Sequence, residues 1–166
     1  MYELAFRSVY DSITNIEPNF NTLPLPLQTI FINTGVSSDS DIIRGKVIMK
    51  KLKEVTNTLN KNDITIVAGT DMGFPGYSAF RELELYVESG LTPMQAIKAA
   101  TITPAKVMKL ADVTGSIEAG KNADIIIVDG NPLQNIRSIR KITTVIKDGN
   151  VYDPSVLREI AGFSKQ

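Results

Sequence analysis

The sequence predicts an α/β protein, and three features support this prediction. Several segments show helical periodicity, among them residues 48–59, whose apolar positions share one helix face. Residues 64–68 form a short run that is apolar on both alternating faces, which is typical of a strand covered on both sides in a parallel sheet. Beyond Gly115 the helical spacing gives way to β-branched runs and turn residues.

The N-terminal part predicts two helices separated by an irregular connection. Apolar residues recur at helical spacing over residues 2–13, so we expect an amphipathic helix there. Residues 15–34 contain three prolines and are interpreted as an irregular connection. The stretch Asp39-Ser40-Asp41 offers N-caps for the next helix, which we expect to end near residues 60–62.

Three further helices are expected after the predicted strand. A glycine-containing loop over residues 69–76 precedes a helix that we expect to stop at Gly90. The sequence Thr92-Pro93-Met94-Gln95 combines a cap, a proline at the first helical position and a capping-box glutamine, and it predicts a helix over residues 93–100. Thr103-Pro104 repeats the arrangement of cap and proline and predicts a third short helix.

The C-terminal part predicts a small antiparallel sheet. Residues 123–128 and 142–146 are rich in β-branched side chains, and a short run at residues 151–152 follows. Asp148-Gly149 between the last two runs is a hairpin turn signal. Residues 155–160 are expected to form a terminal helix, and Gly115 marks the expected domain boundary.

Composition excludes several classes of partner. The 166 residues include 18 basic and 18 acidic side chains, so no basic excess favours nucleic acid or an anionic membrane surface. No apolar run approaches the roughly 20 residues that span a bilayer. The absence of cysteine fits a cytoplasmic protein, so we expect cytoplasmic localisation and neither nucleic acid nor membrane as a partner.

Asp71 is the candidate catalytic residue from its position alone. It follows the predicted strand directly, and α/β enzymes place catalytic groups where a buried strand ends. The alternative is a turn or cap carboxylate, since Gly-Thr-Asp before a glycine loop is also good turn chemistry. The chain has no His and no Cys, so it cannot complete a metal site around Asp71 by itself.

Other polar and glycine motifs are given structural interpretations. Glycines 69, 73 and 76 match neither the dinucleotide pattern nor the P-loop. Acidic residues at a helix start interact favourably with the helix dipole, so Arg81, Glu82 and Glu84 are expected on a solvated surface. Lys121, Asn122 and Asp124 are interpreted as turn residues that lead into a strand.

Several motifs in order resemble the amidohydrolase superfamily, in particular its imidazolonepropionase-like and prolidase-like branch. The resemblance is firm over residues 64–153. The segments that carry it are Val67-Ala68-Gly69-Thr70-Asp71, Arg81-Glu82-Leu83-Glu84-Leu85, Gly90-Leu91-Thr92-Pro93-Met94-Gln95-Ala96, Ala99-Ala100-Thr101, Thr103-Pro104-Ala105 and Gly115-Ser116-Ile117-Glu118-Ala119-Gly120-Lys121-Asn122-Ala123-Asp124.

The resemblance implies an incomplete metal-dependent-hydrolase (β/α)8 barrel, of which this chain holds the last βα units. Residues 1–114 would be the C-terminal part of the barrel. Residues 115–154 would be part of a small β-sandwich, a urease-like composite domain, and residues 155–166 a C-terminal tail or helix. A barrel of this kind needs about 250 residues and eight strands. The remaining strands would therefore come from outside this chain.

The resemblance also implies site residues and a cofactor. Asp71 corresponds to a residue at the metal site that acts as ligand and proton shuttle, and Tyr77 to a substrate-binding position where this branch often carries His. The complete enzyme would use zinc or another divalent metal, held further by a His-x-His pair, a carboxylated Lys or a Glu, and other His residues.

Two functions are compatible with the sequence. In the first, the chain is the C-terminal portion of an amidohydrolase that hydrolyses C–N bonds of non-peptide amides, cyclic amides or dipeptides, and it is inactive without a complementing N-terminal amidohydrolase chain. In the second, it is a non-catalytic oligomeric or interaction module derived from such an enzyme, because unpaired sheet edges recruit another copy. Expected partners are therefore a small-molecule substrate and either a complementing chain or a homo-oligomer.

Overall fold

The computed structural model describes residues 20–33, 39–70 and 78–163. Within these ranges the fold is mainly helical, with one three-stranded antiparallel sheet near the C-terminus. The α-helices are α1 (Leu25–Asn33), α2 (Asp39–Lys61), α3 (Ser78–Glu88), α4 (Pro93–Ala99), α5 (Ile102–Val107) and α6 (Pro154–Ile160), and the strands are β1 (Ile125–Val128), β2 (Ile142–Lys147) and β3 (Asn150–Tyr152).

The irregular connection expected over residues 15–34 is wrong in its described part. A 3-10 turn at Phe20–Thr22 leads into α1. Prolines are tolerated in the first turn of a helix because the N–H that they lack has no partner there. The Pro24 carbonyl accepts hydrogen bonds from the N–H groups of Leu27 and Gln28 and so starts the helix. The helix expected over residues 2–13 lies outside the described residues.

Helix α2 has the predicted bounds, but its apolar stripe faces solvent. Leu52 is 42% exposed, Val55 52% and Leu59 39%. The side that packs on α3 contains the buried Met49 and the ion pair between Lys53 and Glu88. In the described residues, α2 is therefore held through a largely polar face, while its apolar face is left uncovered.

The helix start predicted at Thr92 is confirmed, and the one at Thr103 is wrong. Thr92 Oγ1 accepts from the Gln95 N–H at 3.2 Å, and Gln95 Oε1 accepts from the Thr92 N–H at 2.8 Å. Helix α5 instead begins at Ile102, with Thr101 as an N-cap that makes no side-chain capping bond. Thr101 Oγ1 donates to the Ile97 carbonyl, because this hydroxyl is still within reach of α4.

The predicted antiparallel strands and the hairpin are confirmed. Strand β2 pairs with β1 on one side and with β3 on the other. Asp148 and Gly149 have φ values of 50° and 78°, as expected for a type I′ turn between antiparallel strands. The Asp124 carboxylate accepts from the Asp148 N–H and from Lys147 Nζ, so it ties this turn to the start of β1.

The core joins segments from both sides of Gly115. A 3-10 helix, Ile136–Arg140, which the sequence did not predict, packs Ile136 and Ile139 against Leu83 and Ala96. The division of the chain at residue 115 into barrel and sandwich parts stays a prediction. The expected terminal helix is confirmed as α6.

The strand predicted over residues 64–68 is not formed among the described residues, where residues 64–70 belong to no helix or strand. A strand needs a neighbouring strand, and the sequence analysis expects the neighbours of this segment to come from outside the chain. The (β/α)8 barrel therefore stays a prediction. No helix in the described ranges is both long enough and apolar enough to cross a membrane.

Candidate functional site

The two site residues predicted from the sequence, Asp71 and Tyr77, lie outside the described residues. The structure describes what flanks them, namely residues 64–70 on one side and α3, which begins at Ser78, on the other. The groups that hold these flanking elements therefore form the described surroundings of the candidate site.

Residues 64–70 are anchored to the C-terminal ends of two helices. The Ile64 N–H donates to the Leu59 carbonyl of α2 at 3.0 Å, and the Ala68 N–H donates to the Ala99 carbonyl of α4 at 2.8 Å. Such carbonyls at a helix end have no partner within the helix. Ala68 also packs against the buried core cluster. The segment that leads to Asp71 is thus held by backbone hydrogen bonds and packing, without a sheet.

A carboxylate on α3 makes a further contact with this segment. Glu82 Oε1 accepts from the Gly69 N–H at 3.0 Å and from the Tyr86 hydroxyl at 2.5 Å. Burial raises the pKa of the Tyr86 hydroxyl well above its usual value, and its hydrogen bond to the Glu82 carboxylate raises it further. Tyr86 therefore remains a hydrogen-bond donor to Glu82 across the neutral pH range.

Ser78, Glu82 and Tyr86 form a polar stripe on α3, since they recur every four residues. Two atoms of this stripe, Ser78 Oγ and Glu82 Oε2, are buried and have no hydrogen-bond partner among the described residues. The sequence interpretation assigned Glu82 to a solvated surface and did not consider Tyr86. The four-residue spacing of polar side chains beside the apolar positions of α3 is the signal that could have identified both.

The expectation that Arg81 and Glu84 are solvated is wrong. Arg81 is 7% exposed and Glu84 only 2%. Glu84 accepts from Arg81 at 3.0 Å and from Arg140 Nε at 2.5 Å. Burial disfavours an unpaired charge, and these two hydrogen-bonded arginines, with Arg137 Nε 3.9 Å from Glu84 Oε2, compensate this carboxylate. This buried cluster connects α3 to the 3-10 helix Ile136–Arg140.

A second ion pair cluster connects α3 to α2. Glu88 accepts from Arg81 at 2.7 Å and from Lys53 at 2.5 Å. Partial burial by itself would raise the pKa of Glu88, but the hydrogen bonds from Lys53 and Arg81 outweigh it and hold that pKa below its usual value. Helix α3, which begins directly after residues 71–77, is thus fixed on two sides by charged groups.

The donor set of this chain does not fit a complete hydrolytic metal site. The sequence contains no His and no Cys. Among the described residues, no three Asp or Glu side chains come together as a metal-binding group. A hydrolytic zinc site normally takes three protein ligands and a water. The described residues therefore do not form such a site on their own.

Two proteins of known activity are similar to part of the chain. Over 97 residues it is 39% identical to an ochratoxinase from Aspergillus niger, a match that covers 55% of this chain and 20% of that protein. Over 101 residues it is 37% identical to an imidazolonepropionase from Picrophilus torridus, covering 61% of this chain and 24% of that protein. The matched region is therefore about a quarter or less of each of these relatives.

A solved structure and a family model agree with these similarities. A Xaa-Pro dipeptidase with bound methionine in its active site has a TM-score of 0.59 and 25% identity to this chain, covering 90% of this chain and 33% of the dipeptidase. The fold is thus shared with part of an amidohydrolase-type structure, and the resemblance found in the sequence is confirmed. The model of the amidohydrolase family matches residues 32–152, which is more than half of the chain, so this protein belongs to the amidohydrolase family.

Proposed function

We propose that this chain is the C-terminal catalytic portion of a hydrolase that cleaves C–N bonds. The observation that carries the proposal is the family match over residues 32–152, which spans both flanks of Asp71. The relatives named above are enzymes, which favours hydrolysis over a non-catalytic interaction module. Non-peptide amides, cyclic amides and dipeptides are the substrate classes that we propose.

In this proposal Asp71 moves the proton of the reaction. Its carboxylate accepts a proton from the attacking water and transfers it to the leaving nitrogen, which must be protonated before it can depart. The anchoring of residues 64–70 to α2 and α4 supports this role, because a proton shuttle must be held within hydrogen-bond reach of both groups.

The proposal includes a metal whose ligands this chain does not complete. The amidohydrolase family is generally metal-dependent. We propose zinc or another divalent cation for the complete enzyme, with Asp71 as the one ligand from this chain. Imidazole ligands would come from a complementing N-terminal amidohydrolase polypeptide, since this sequence has no His.

The exposed stripe of α2 supports a complementing polypeptide as the partner. Leu52 is 42% exposed, Val55 52% and Leu59 39%, although each is a large apolar side chain. Burying such side chains contributes roughly 1.5–3 kcal/mol each. We expect the complementing polypeptide to cover this helix. Sedimentation that shows a stable dimer of the chain, unchanged when the polypeptide is added, would favour a homo-oligomer instead.

The proposed function is tested by complementation. The chain is purified alone and also co-expressed with the N-terminal part of the Picrophilus torridus imidazolonepropionase, ending where the matched region begins. Each sample is supplied with zinc and assayed on an amide, a cyclic amide and a dipeptide. We expect hydrolysis of at least one substrate by the complemented enzyme and none by the chain alone.

Two variants decide whether Asp71 carries the reaction. Asp71→Asn keeps the size of the side chain but cannot accept the proton, so we expect loss of hydrolysis. Asp112→Asn makes the same chemical change at an exposed position and should retain activity. Equal activity of Asp71→Asn and the unsubstituted chain in the complemented enzyme would contradict the proposed function.

A further inference from the structure

We propose that Glu82 is a positioning residue for Asp71 and acts through the backbone of Gly69. The proposal rests on the proposed function, because it assigns Glu82 a part in the reaction that Asp71 carries. Glu82 itself is not placed in contact with the substrate.

The Gly69 peptide is held by the Glu82 carboxylate and not by side-chain packing. Gly69 lies two residues before Asp71, and its N–H donates to Glu82 Oε1 at 3.0 Å. A Cβ at Gly69 would meet no atom of the described residues within 4 Å, so none of their side chains packs tightly on this peptide. The Glu82 carboxylate therefore restrains the Gly69 peptide, next to the hydrogen bond that the Ala68 N–H donates to the Ala99 carbonyl.

Tyr86 holds the carboxylate in place from one helical turn away. Its ring packs against the core cluster, and its hydroxyl donates to Glu82 Oε1 and lies 3.4 Å from the Val67 carbonyl oxygen. Glu82 and Tyr86 thus contact residues 67 and 69 from the same face of α3. Because ion pairs tie α3 to the 3-10 helix Ile136–Arg140 and to α2, it provides a rigid support for this contact.

The burial of Glu82 includes an unfavourable feature that stabilising α3 alone does not require. Among the described residues, Glu82 Oε2 is buried and has no hydrogen-bond partner, and burying an unsatisfied polar atom is unfavourable. A glutamate chosen only to stabilise α3 would be better placed in solvent. Unsatisfied buried groups in native proteins are often found where a site must be positioned.

The first test measures the hydrogen bond directly in the chain alone. Amide hydrogen exchange at Gly69 is followed by NMR for the unsubstituted chain and for Glu82→Ala, Glu82→Gln and Tyr86→Phe. We expect the exchange rate at Gly69 to rise about tenfold or more in Glu82→Ala. A tenfold rise corresponds to a loss of about 1.4 kcal/mol in the free energy that protects this N–H from exchange. Glu82→Gln keeps an acceptor oxygen and should restore part of the protection.

The second test measures the effect on the reaction in the complemented enzyme. We expect Glu82→Ala to lower kcat about 10- to 100-fold with little change in KM, because a small displacement of Asp71 slows proton transfer and leaves substrate binding intact. Tyr86→Phe keeps the packed ring and should lower kcat less. The control variant is Glu54→Ala, because Glu54 is an exposed glutamate on a different helix, α2. It should change neither Gly69 exchange nor kcat.

The outcomes separate this inference from the proposed function. Unchanged Gly69 exchange in both Glu82→Ala and Tyr86→Phe overturns the positioning role, as does faster exchange with unchanged kcat. If Asp71→Asn retains full activity, the proposed function fails and the positioning role fails with it, whereas the exchange data still report on the Glu82–Gly69 hydrogen bond. If Glu82→Ala does not fold, Tyr86→Phe and Glu82→Gln carry both tests.

Discussion

Glu84 and Arg140 are separated by 56 positions in the sequence, yet Arg140 Nε donates a hydrogen bond to Glu84 Oε1 at 2.5 Å. Glu84 lies on α3 and Arg140 ends the 3-10 helix that follows β1. The Arg140 guanidinium also lies 5.9 Å from the centre of the Phe80 ring. This pair therefore fixes the part of the chain after Gly115 to the helix that begins directly after the candidate site.

Glu84→Gln is predicted to destabilise the protein by about 3 kcal/mol, because it leaves two arginines beside a neutral acceptor in a buried environment. Urea unfolding of the chain measures the change in the free energy of unfolding. Glu54→Gln removes an exposed ion pair with Lys51 and should cost much less, because solvent screens this pair. Similar losses in both variants would show that the buried cluster contributes no more than a surface pair.

Gly115→Ala and Gly120→Ala should differ strongly, although their backbone φ values of 92° and 90° are nearly equal. A Cβ at Gly115 would lie 2.8 Å from Ala105 Cβ and 2.9 Å from Ile102 Cα, whereas one at Gly120 would meet nothing within 4 Å. We expect about 1–2 kcal/mol of backbone strain in both variants and about 1–3 kcal/mol more from the close contacts at Gly115. Urea unfolding measures the loss of unfolding free energy in each variant. Equal losses would show that the close contacts of Gly115 with α5 add no destabilisation.

Thr92→Ala is predicted to cost about 1 kcal/mol in the free energy of unfolding, because it removes the hydroxyl that caps α4. Thr92→Ser keeps this hydroxyl and should remain within about 0.5 kcal/mol of the unsubstituted chain. Thermal unfolding followed by circular dichroism compares the two. A Thr92→Ser variant as unstable as Thr92→Ala would assign the effect to lost methyl packing instead of capping.

The stability of the chain should decrease as the pH falls below the usual pKa of a glutamate, and Glu88 should contribute to that decrease. Its pKa is held below the ordinary value near 4.5, with burial opposing and the hydrogen bonds from Lys53 and Arg81 prevailing. A lowered folded-state pKa stabilises the fold above the unfolded-state pKa, and this contribution is lost as the pH falls through the folded-state value.

Glu88→Gln tests this pH dependence. We expect the free energy of unfolding of this variant, measured in urea at a series of pH values from 6 downward, to fall less steeply than that of the unsubstituted chain. NMR titration of the Glu88 carboxyl group gives its folded-state pKa independently. Parallel curves for the two proteins would contradict the assignment.

Local signals in the sequence predicted local structure correctly. The Thr92 and Gln95 capping box and the Asp148-Gly149 turn are right because the stabilising groups lie within three residues of each other. The predicted bounds of helix α2 are correct for a similar reason. Which face of α2 is buried depends on its packing against α3, so periodicity alone could not predict that its apolar stripe is exposed.

Long-range relationships could not be predicted from the sequence. Arg81 and Glu84 are charged and lie near a helix start, which normally indicates a solvated surface. Their burial depends on Arg140, a distant partner that no local pattern identifies. The family motifs indicated Asp71 as the site residue, whereas the contacts of Glu82 with Gly69 and Tyr86 became visible only when α3 and residues 64–70 were placed together.

The type I′ turn at Asp148 and Gly149 has a consequence for the order of folding. Strands β2 and β3 are adjacent in the chain, and hairpins of this kind form within about 1–10 μs. Helix α3 leaves the ribosome well before Arg140 is synthesised, so in the nascent chain Glu84 must remain hydrated. We therefore expect α3 to pack against the 3-10 helix Ile136–Arg140 only after Arg140 emerges. The hairpin of β2 and β3 closes independently, and the parts of the chain before and after Gly115 join last.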